Sequence, residues 1–393
     1  MHTDPRVFDD QTRTDESPSR HAEPAATFLS RVAGPYWDQV RELIEEWADS
    51  YPLASKPDLV GRLRSPYNRQ WGGAFWELYL HESFRRAGYD IEVHPTTPGG
   101  TRQPDFRVKN ADVEFYVEAK CVFGKSTEGE DALLKGVLDA INQTKSPNFF
   151  VNLHVDQVGL RAPSTKGLRA ELAGWLARLN PDQVDPEALF DDDAEQLHWS
   201  RDGWELTFHP MPVRADARGS GIHRPLGMWS SGDAELVDDE TSLRRALKDK
   251  GSAYGDLKRP LLLAINMNSG FDRTFQTMNA LYGRSIVVFS KDDPSNAHES
   301  RRPDGYFGHP GLWRHPHVAG VLIAPNIAPW TVARDAPTIW VHPAPADTIP
   351  VLDVWNRAVL DVDKIADLPA QAGPWELFGL IPEWPSGEPF PND

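Results

Sequence analysis

Asp105, Glu118 and Lys120 are the residues of this chain whose types and spacing best suit chemistry. Asp105 follows Pro104 in Gln-Pro-Asp-Phe-Arg-Val, and Glu118-Ala119-Lys120 lies inside VEFYVEAKCVF (113–123), an alternating strand-like run. Side chains in a strand alternate between faces, so Glu118 and Lys120 point the same way. Phe115, Val117, Ala119 and Cys121 form the apolar set of the opposite face. If Asp105 opens a strand paired with this one as a hairpin, its carboxylate approaches Glu118. Two carboxylates that close repel each other, and a divalent cation resolves the conflict. Mg²⁺ suits such a pair, because it takes few carboxylates and fills its other positions with waters and substrate phosphate oxygens. The Ala119 carbonyl is a further candidate ligand. A cation so held polarises a phosphodiester and acidifies a bound water. Lys120 would orient that water and meet the charge growing on the phosphate oxygens. The expected chemistry is phosphodiester hydrolysis with Mg²⁺ as cofactor, Mn²⁺ substituting, and Asp105 and Glu118 as metal ligands.

The elements that must position these residues follow from hydrophobic period. GGAFWELYLHESFRRAG (72–88) has helical spacing and ends at Gly88, the residue favoured just past a helix C-terminus. Trp76, Leu80, Phe84 and Ala87 centre its apolar stripe. Glu77 lies roughly 60° from that centre and Glu82 roughly 160° away. Glu77 is therefore expected at the border of the buried face, looking into a cleft, and Glu82 in solvent. Strands are predicted at 90–95, 105–108 and 113–123, with Gly99-Gly100 making the turn before Asp105. A helix at 131–143 and a strand at 148–155 follow. This order predicts an α/β fold with a central mixed sheet flanked by helices.

The pattern resembles the PD-(D/E)XK nuclease superfamily, the restriction-endonuclease-like fold. The resemblance runs from about Trp71 to Val155 and rests on Glu77, Pro104-Asp105 and Glu118-Ala119-Lys120. It implies a restriction-endonuclease-like core in which Asp105 and Glu118 bind metal, Lys120 is the catalytic lysine and Glu77 an auxiliary acid. Some members carry Gln-x-x-x-Tyr in the helix after the lysine. Here Gln143 is followed by Pro147, so that part is broken at this place.

The 393 residues allow one large or two modest domains. Residues 1–26, polar and rich in charge, are expected to be a disordered tail. Residues 27–160 are expected to form the nuclease-like domain with a helical lead-in, and 161–393 a second α/β region able to extend the same sheet. No apolar run reaches the length of a membrane span, and the N-terminus has no signal-peptide core. A single cysteine, Cys121, excludes a disulfide framework and is expected to pack in the sheet. The expected location is cytoplasmic.

A net charge of −17 argues against a protein that simply coats nucleic acid. Residues 56–150 are nevertheless balanced in charge, and much of the excess acid lies in PDQVDPEALFDDDAEQ (181–196). Arg62, Arg64 and Arg69, in a connector before the Glu77 helix, are candidate phosphate contacts. The basic run Arg244–Arg259, with Arg244, Arg245, Lys248, Lys250, Lys258 and Arg259, could contact phosphates or form the solvated face of a helix. His309, His315 and His317 read as part of a proline-rich loop. The expected partner is nucleic acid, DNA in the first instance, with a homodimer or a protein partner engaged through the second region. Two other readings are open: the same fold acting on RNA, and a non-catalytic α/β interaction protein whose acidic surface meets a basic partner. Convergence of Glu77, Asp105, Glu118 and Lys120 in one cleft would separate catalyst from non-catalyst.

Overall fold

The change of hydrophobic period after Gly88 marks a real change from helix to strand. The computed structural model describes residues 5–97, 102–123, 128–185, 194–219, 224–231, 239–251, 253–254, 257–268, 274–288, 298–309, 311–361 and 364–390. Helices α1 (Ala25–Arg31), α2 (Pro35–Asp49), α3 (Lys56–Leu63) and α4 (Asn68–Arg86) lead into β1 (Asp90–Val93), β2 (Phe106–Lys109) and β3 (Glu114–Phe123). Next come α5 (Glu128–Asn142), β4 (Phe149–Gln157), α6 (Thr165–Leu176), β5 (Leu197–Arg201), β6 (Trp204–Pro212) and β7 (Leu226–Ser231). After these follow α7 (Asp239–Gly251), β8 (Leu261–Asn268), α8 (Thr274–Tyr282), β9 (Ser285–Val288), β10 (His298–Arg301), β11 (Gly308–His309) and β12 (Leu312–Trp313). The last elements are β13 (Val318–Ala324), β14 (Thr338–Val341), β15 (Asn356–Asp361), β16 (Lys364–Leu368) and α9 (Pro374–Phe378).

The chain forms two compact units. The first comprises Met1–Ser17, Pro24–Gly124 and Asp238–Phe390; the second Pro18–Glu23, Lys125–Val237 and Pro391–Asp393. The first holds a mixed sheet in the order β1-β2-β3-β8-β13-β14-β15-β16. Strands β1, β2 and β3 form an antiparallel meander, and β3, β8 and β13 run parallel. Strands β8 and β13 read as near-continuous apolar runs because helices cover both faces of the sheet. Phe115, Val117 and Ala119 of β3 join a core with Trp47 of α2 and Phe75, Trp76 and Phe84 of α4. Tyr116 and Val122, on the other face, pack with Leu243 and Leu247 of α7 and Leu281 of α8. Trp76 Nε1 donates to the Ala264 carbonyl at 2.9 Å, tying α4 to β8. The mixed sheet flanked by helices is thus as the sequence predicts.

Four expectations need correction. Residues 5–17 are not a free tail: Val7 and Phe8 are buried, and their N–H groups donate to the Glu45 carboxylate at 3.2 and 2.7 Å. The basic connector contains a helix, α3. Glu82 is not in solvent but fully buried, accepting from Ser50, Arg85 and Arg86. The reason is that α4 is covered on more than one side. Trp47 of α2 stacks near Phe75 and lies 6.4 Å from Tyr79, while Phe378 of α9 meets Tyr79 at 5.4 Å. A helix enclosed in this way has no solvent face for a one-stripe wheel to find.

The fourth concerns the boundaries at 160 and 161. The helix and strand that follow Lys120 in sequence, α5 and β4, do not join its sheet. They belong to the second unit, with a sheet of its own in the order β5-β6-β4-β7, packed by α5 and α6 around Trp199, Trp204 and Leu153. The neighbour of β3 is β8, reached through α7, so the helical crossover that joins parallel strands is made by α7. Hydrophobic period identifies elements but not which strands pair. The Asp202-Gly203 hairpin turn is present, with positive φ at both residues (52° and 80°) as a type I′ turn requires. Gly99-Gly100 lie outside the described residues. Among the described residues, no helix is long and apolar enough to cross a membrane.

Candidate active site

The site begins where β2 ends. Its pairing with β3 closes at Phe106 opposite Val117, and the next pair in that register is Asp105 with Glu118. Pro104 carries no N–H to extend the ladder. Asp105 takes over instead: its Oδ2 accepts the Ala119 N–H at 2.7 Å, and its own carbonyl accepts from His94 at 2.9 Å. Strand β3 continues past this point with β8 along its other edge, reaching Phe123 opposite Asn268. The carboxylate of Asp105 therefore caps an edge that β2 leaves open.

Glu118 is 1% exposed, and both oxygens have partners. The Lys250 ammonium bonds Oε1 and the Tyr254 hydroxyl donates to Oε2. Lys120, two residues along the same face, is exposed. Glu77 arrives from α4, its two oxygens accepting from Arg62 at 2.7 Å each. Glu77, Asp105, Ala119, Lys120 and Lys250, with Arg69, line one cleft of about 270 Å³. Glu118 is not in the lining; it is buried and bonded to Lys250, which is.

Burial pushes Asp105 well above the ordinary aspartate value, and the charges of Glu118 and Glu77 push it further; the Ala119 N–H and Lys250 only partly oppose them. Burial also works to lower the Lys250 ammonium, but Glu118, with Asp105 and Glu77 behind it, outweighs burial and raises it. Cys121 is pushed up to about 12, by burial first and then by Glu77. Its thiol rests on the Gly72 carbonyl at 3.3 Å, in keeping with a packing role.

Among the described residues, no three Asp, Glu, His or Cys side chains form a ready metal-ligand group. The donor set is smaller: Asp105, Glu118 and the Ala119 carbonyl. That number suits Mg²⁺, which draws its remaining ligands from water and substrate. The buried Asp105, loaded by two further carboxylates, is a place where a divalent cation would relieve repulsion. The residues present therefore fit the cation.

Sequence reading did not find Lys250 or Tyr254. Lys250, in a basic run read as phosphate contact or solvated face, bonds the buried Glu118 from the last turn of α7. Lys250 and Tyr254 are four residues apart, Lys250 on the last turn of α7 and Tyr254 beyond its end at Gly251. Gln143 belongs to the other unit, where Arg169 donates to it at 3.1 Å. Of the candidate phosphate contacts, Arg62 is occupied by Glu77 and Asp58, and Arg64 by Asp9 and the Val7 carbonyl. Arg69 lines the cleft, its guanidinium 5.0 Å from the centre of the Phe123 ring. His315 stacks on Tyr306 at 4.4 Å, and His317 lies 2.9 Å from the Gly251 carbonyl, both in packing roles.

No protein-family model matches the chain, and no curated protein or solved structure matches it either.

Proposed function

We propose that the protein is a divalent-cation-dependent nuclease of the PD-(D/E)XK type that hydrolyses phosphodiester bonds in DNA. One observation carries this reading: Asp105 stands opposite Glu118 at the mouth of a strand pair, with Lys120 and Glu77 on the same cleft. The order α4, then the β1-β2-β3 meander, supports it, while the helix and strand that the resemblance places next, at 131–143 and 148–155, lie in the second unit.

Asp105, Glu118 and the Ala119 carbonyl would hold Mg²⁺ or Mn²⁺, which when bound supplies Lewis-acid polarisation and a more acidic water. Lys120, exposed at the cleft, orients the attacking water and offsets charge on the phosphate as the phosphorus–oxygen bond breaks. Glu77, fixed by the two bonds from Arg62, bounds the far wall and helps to position the water or a second cation. Lys120, exposed at the cleft, gives a polyanion a cation to approach, with Arg69 and the Glu118-bound Lys250 in the same lining.

A second reading, a non-catalytic interaction protein, is favoured by one fact. Every carboxylate oxygen of Glu118 and Glu77 already has a partner within the chain. Cleavage decides between them. Wild type and Lys120→Ala are incubated with linear, circular and single-stranded DNA and with RNA, in Mg²⁺, Mn²⁺ or EDTA. The expected result is cutting with metal, none in EDTA, and a rate about 10²-fold lower or less in the variant. No cutting of any substrate by wild type favours the interaction protein, and cutting of RNA alone moves the substrate to RNA.

A further inference from the structure

Lysine is an unusual residue for the place that Lys250 holds. On α7, Leu243 and Leu247 form the stripe that packs on the sheet, and Lys250 continues it at the next helical step. A charged side chain on such a stripe needs a partner. The partner is Glu118, a carboxylate with almost no access to water. Lys250 itself keeps 31% of its side chain exposed and borders the cleft, so its flexible stem has room to leave. Tyr254, four residues on, holds the other oxygen of Glu118. The two donors together make a clamp from one segment of chain on one buried acid.

We propose that Lys250 is the built-in counter-cation of the cleft: its ammonium holds Glu118 until a divalent cation takes its place, and cation binding frees the end of α7. The inference rests on Asp105 and Glu118 being cation ligands. The physics is competition between like charges for one carboxylate. A divalent cation beside Glu118 repels the ammonium at short range, in a setting that water screens poorly. The freed ammonium stays on the cleft wall with Lys120 and Arg69, where a substrate phosphate would receive it. Nucleic acid and cation therefore favour each other's binding, each by taking one partner of the pair, and linkage makes the effect reciprocal.

The test uses the full chain and Mn²⁺ alone, with no nucleic acid, titrated by calorimetry at fixed pH and salt. Lys250→Met, which removes the competitor, should bind Mn²⁺ about tenfold tighter than wild type or more, and Lys250→Arg should bind like wild type. Equal or weaker binding by Lys250→Met overturns the inference, even if wild type binds Mn²⁺ and cuts DNA, so its failure is separable from that of the nuclease. If no protein takes up Mn²⁺, both fall. If Lys250→Met does not fold, amide hydrogen exchange on wild type decides. Mn²⁺ should speed exchange in the last turns of α7, and unchanged or slower exchange there overturns the inference.

Discussion

Asp105 is the residue on which the site turns, and its chemistry makes a prediction about the protein without metal. Burial and two neighbouring acids raise it above the ordinary value of 3.8. A carboxylate raised on folding contributes fully to stability below that ordinary value, and the contribution is lost as pH climbs toward the raised one. Asp105→Asn keeps an oxygen for the Ala119 N–H and removes the titration. It should therefore melt above wild type at neutral pH without metal, with the difference closing as pH falls below 3.8. A variant that melts lower than wild type at pH 7 would contradict this. Asp105, Glu118 and Lys120 were legible in the sequence because strand alternation is local and fixes which side chains share a face. Glu77 was legible because it borders a helical stripe. Lys250 was not, because its partner lies 132 residues away and helical period does not say which charged residue turns inward.

At the scale of elements, α4 holds the site to the sheet, and Glu82 holds α4. Burial raises its pKa, but the nearby His81 and the hydrogen bonds from Arg85 and Ser50 outweigh burial and lower it to about 2 from the ordinary 4.5. Its contribution to stability is present above 4.5 and lost as pH falls toward about 2. Glu82→Ala leaves the guanidinium groups of Arg85 and Arg86 without this acid, and should cost about 3 kcal/mol in a denaturant titration at pH 7. The acid limb of the wild-type stability curve should flatten in the same variant. Gly88 closes α4 with φ 85°, so Gly88→Ala should cost about 1 kcal/mol, read in the same way. Most helices and strands were legible from period and caps. The environment of Glu82 was not, because the helices that cover the second side of α4 come from distant parts of the chain.

At the scale of the whole molecule, residues 125–237 interrupt a crossover. Strands β3 and β8 are parallel neighbours joined through α7, and the second unit is inserted in the chain between β3 and α7. The sequence reading allowed 161–393 to extend the first sheet, but it did not mark 125–237 as an insertion. Replacing 125–237 with a short Gly/Ser linker should leave the first unit folded, with one cooperative melting transition and native near-ultraviolet dichroism from its buried tryptophans. Loss of that dichroism would mean the units fold only together. The most direct measurement is electron paramagnetic resonance of Mn²⁺ titrated into wild type and Asp105→Asn, which counts bound ions by loss of the free-ion signal. Wild type should take up Mn²⁺, and Asp105→Asn should take up none in the same range. No uptake by wild type, or equal uptake by both, would contradict a cation site built on Asp105 and Glu118.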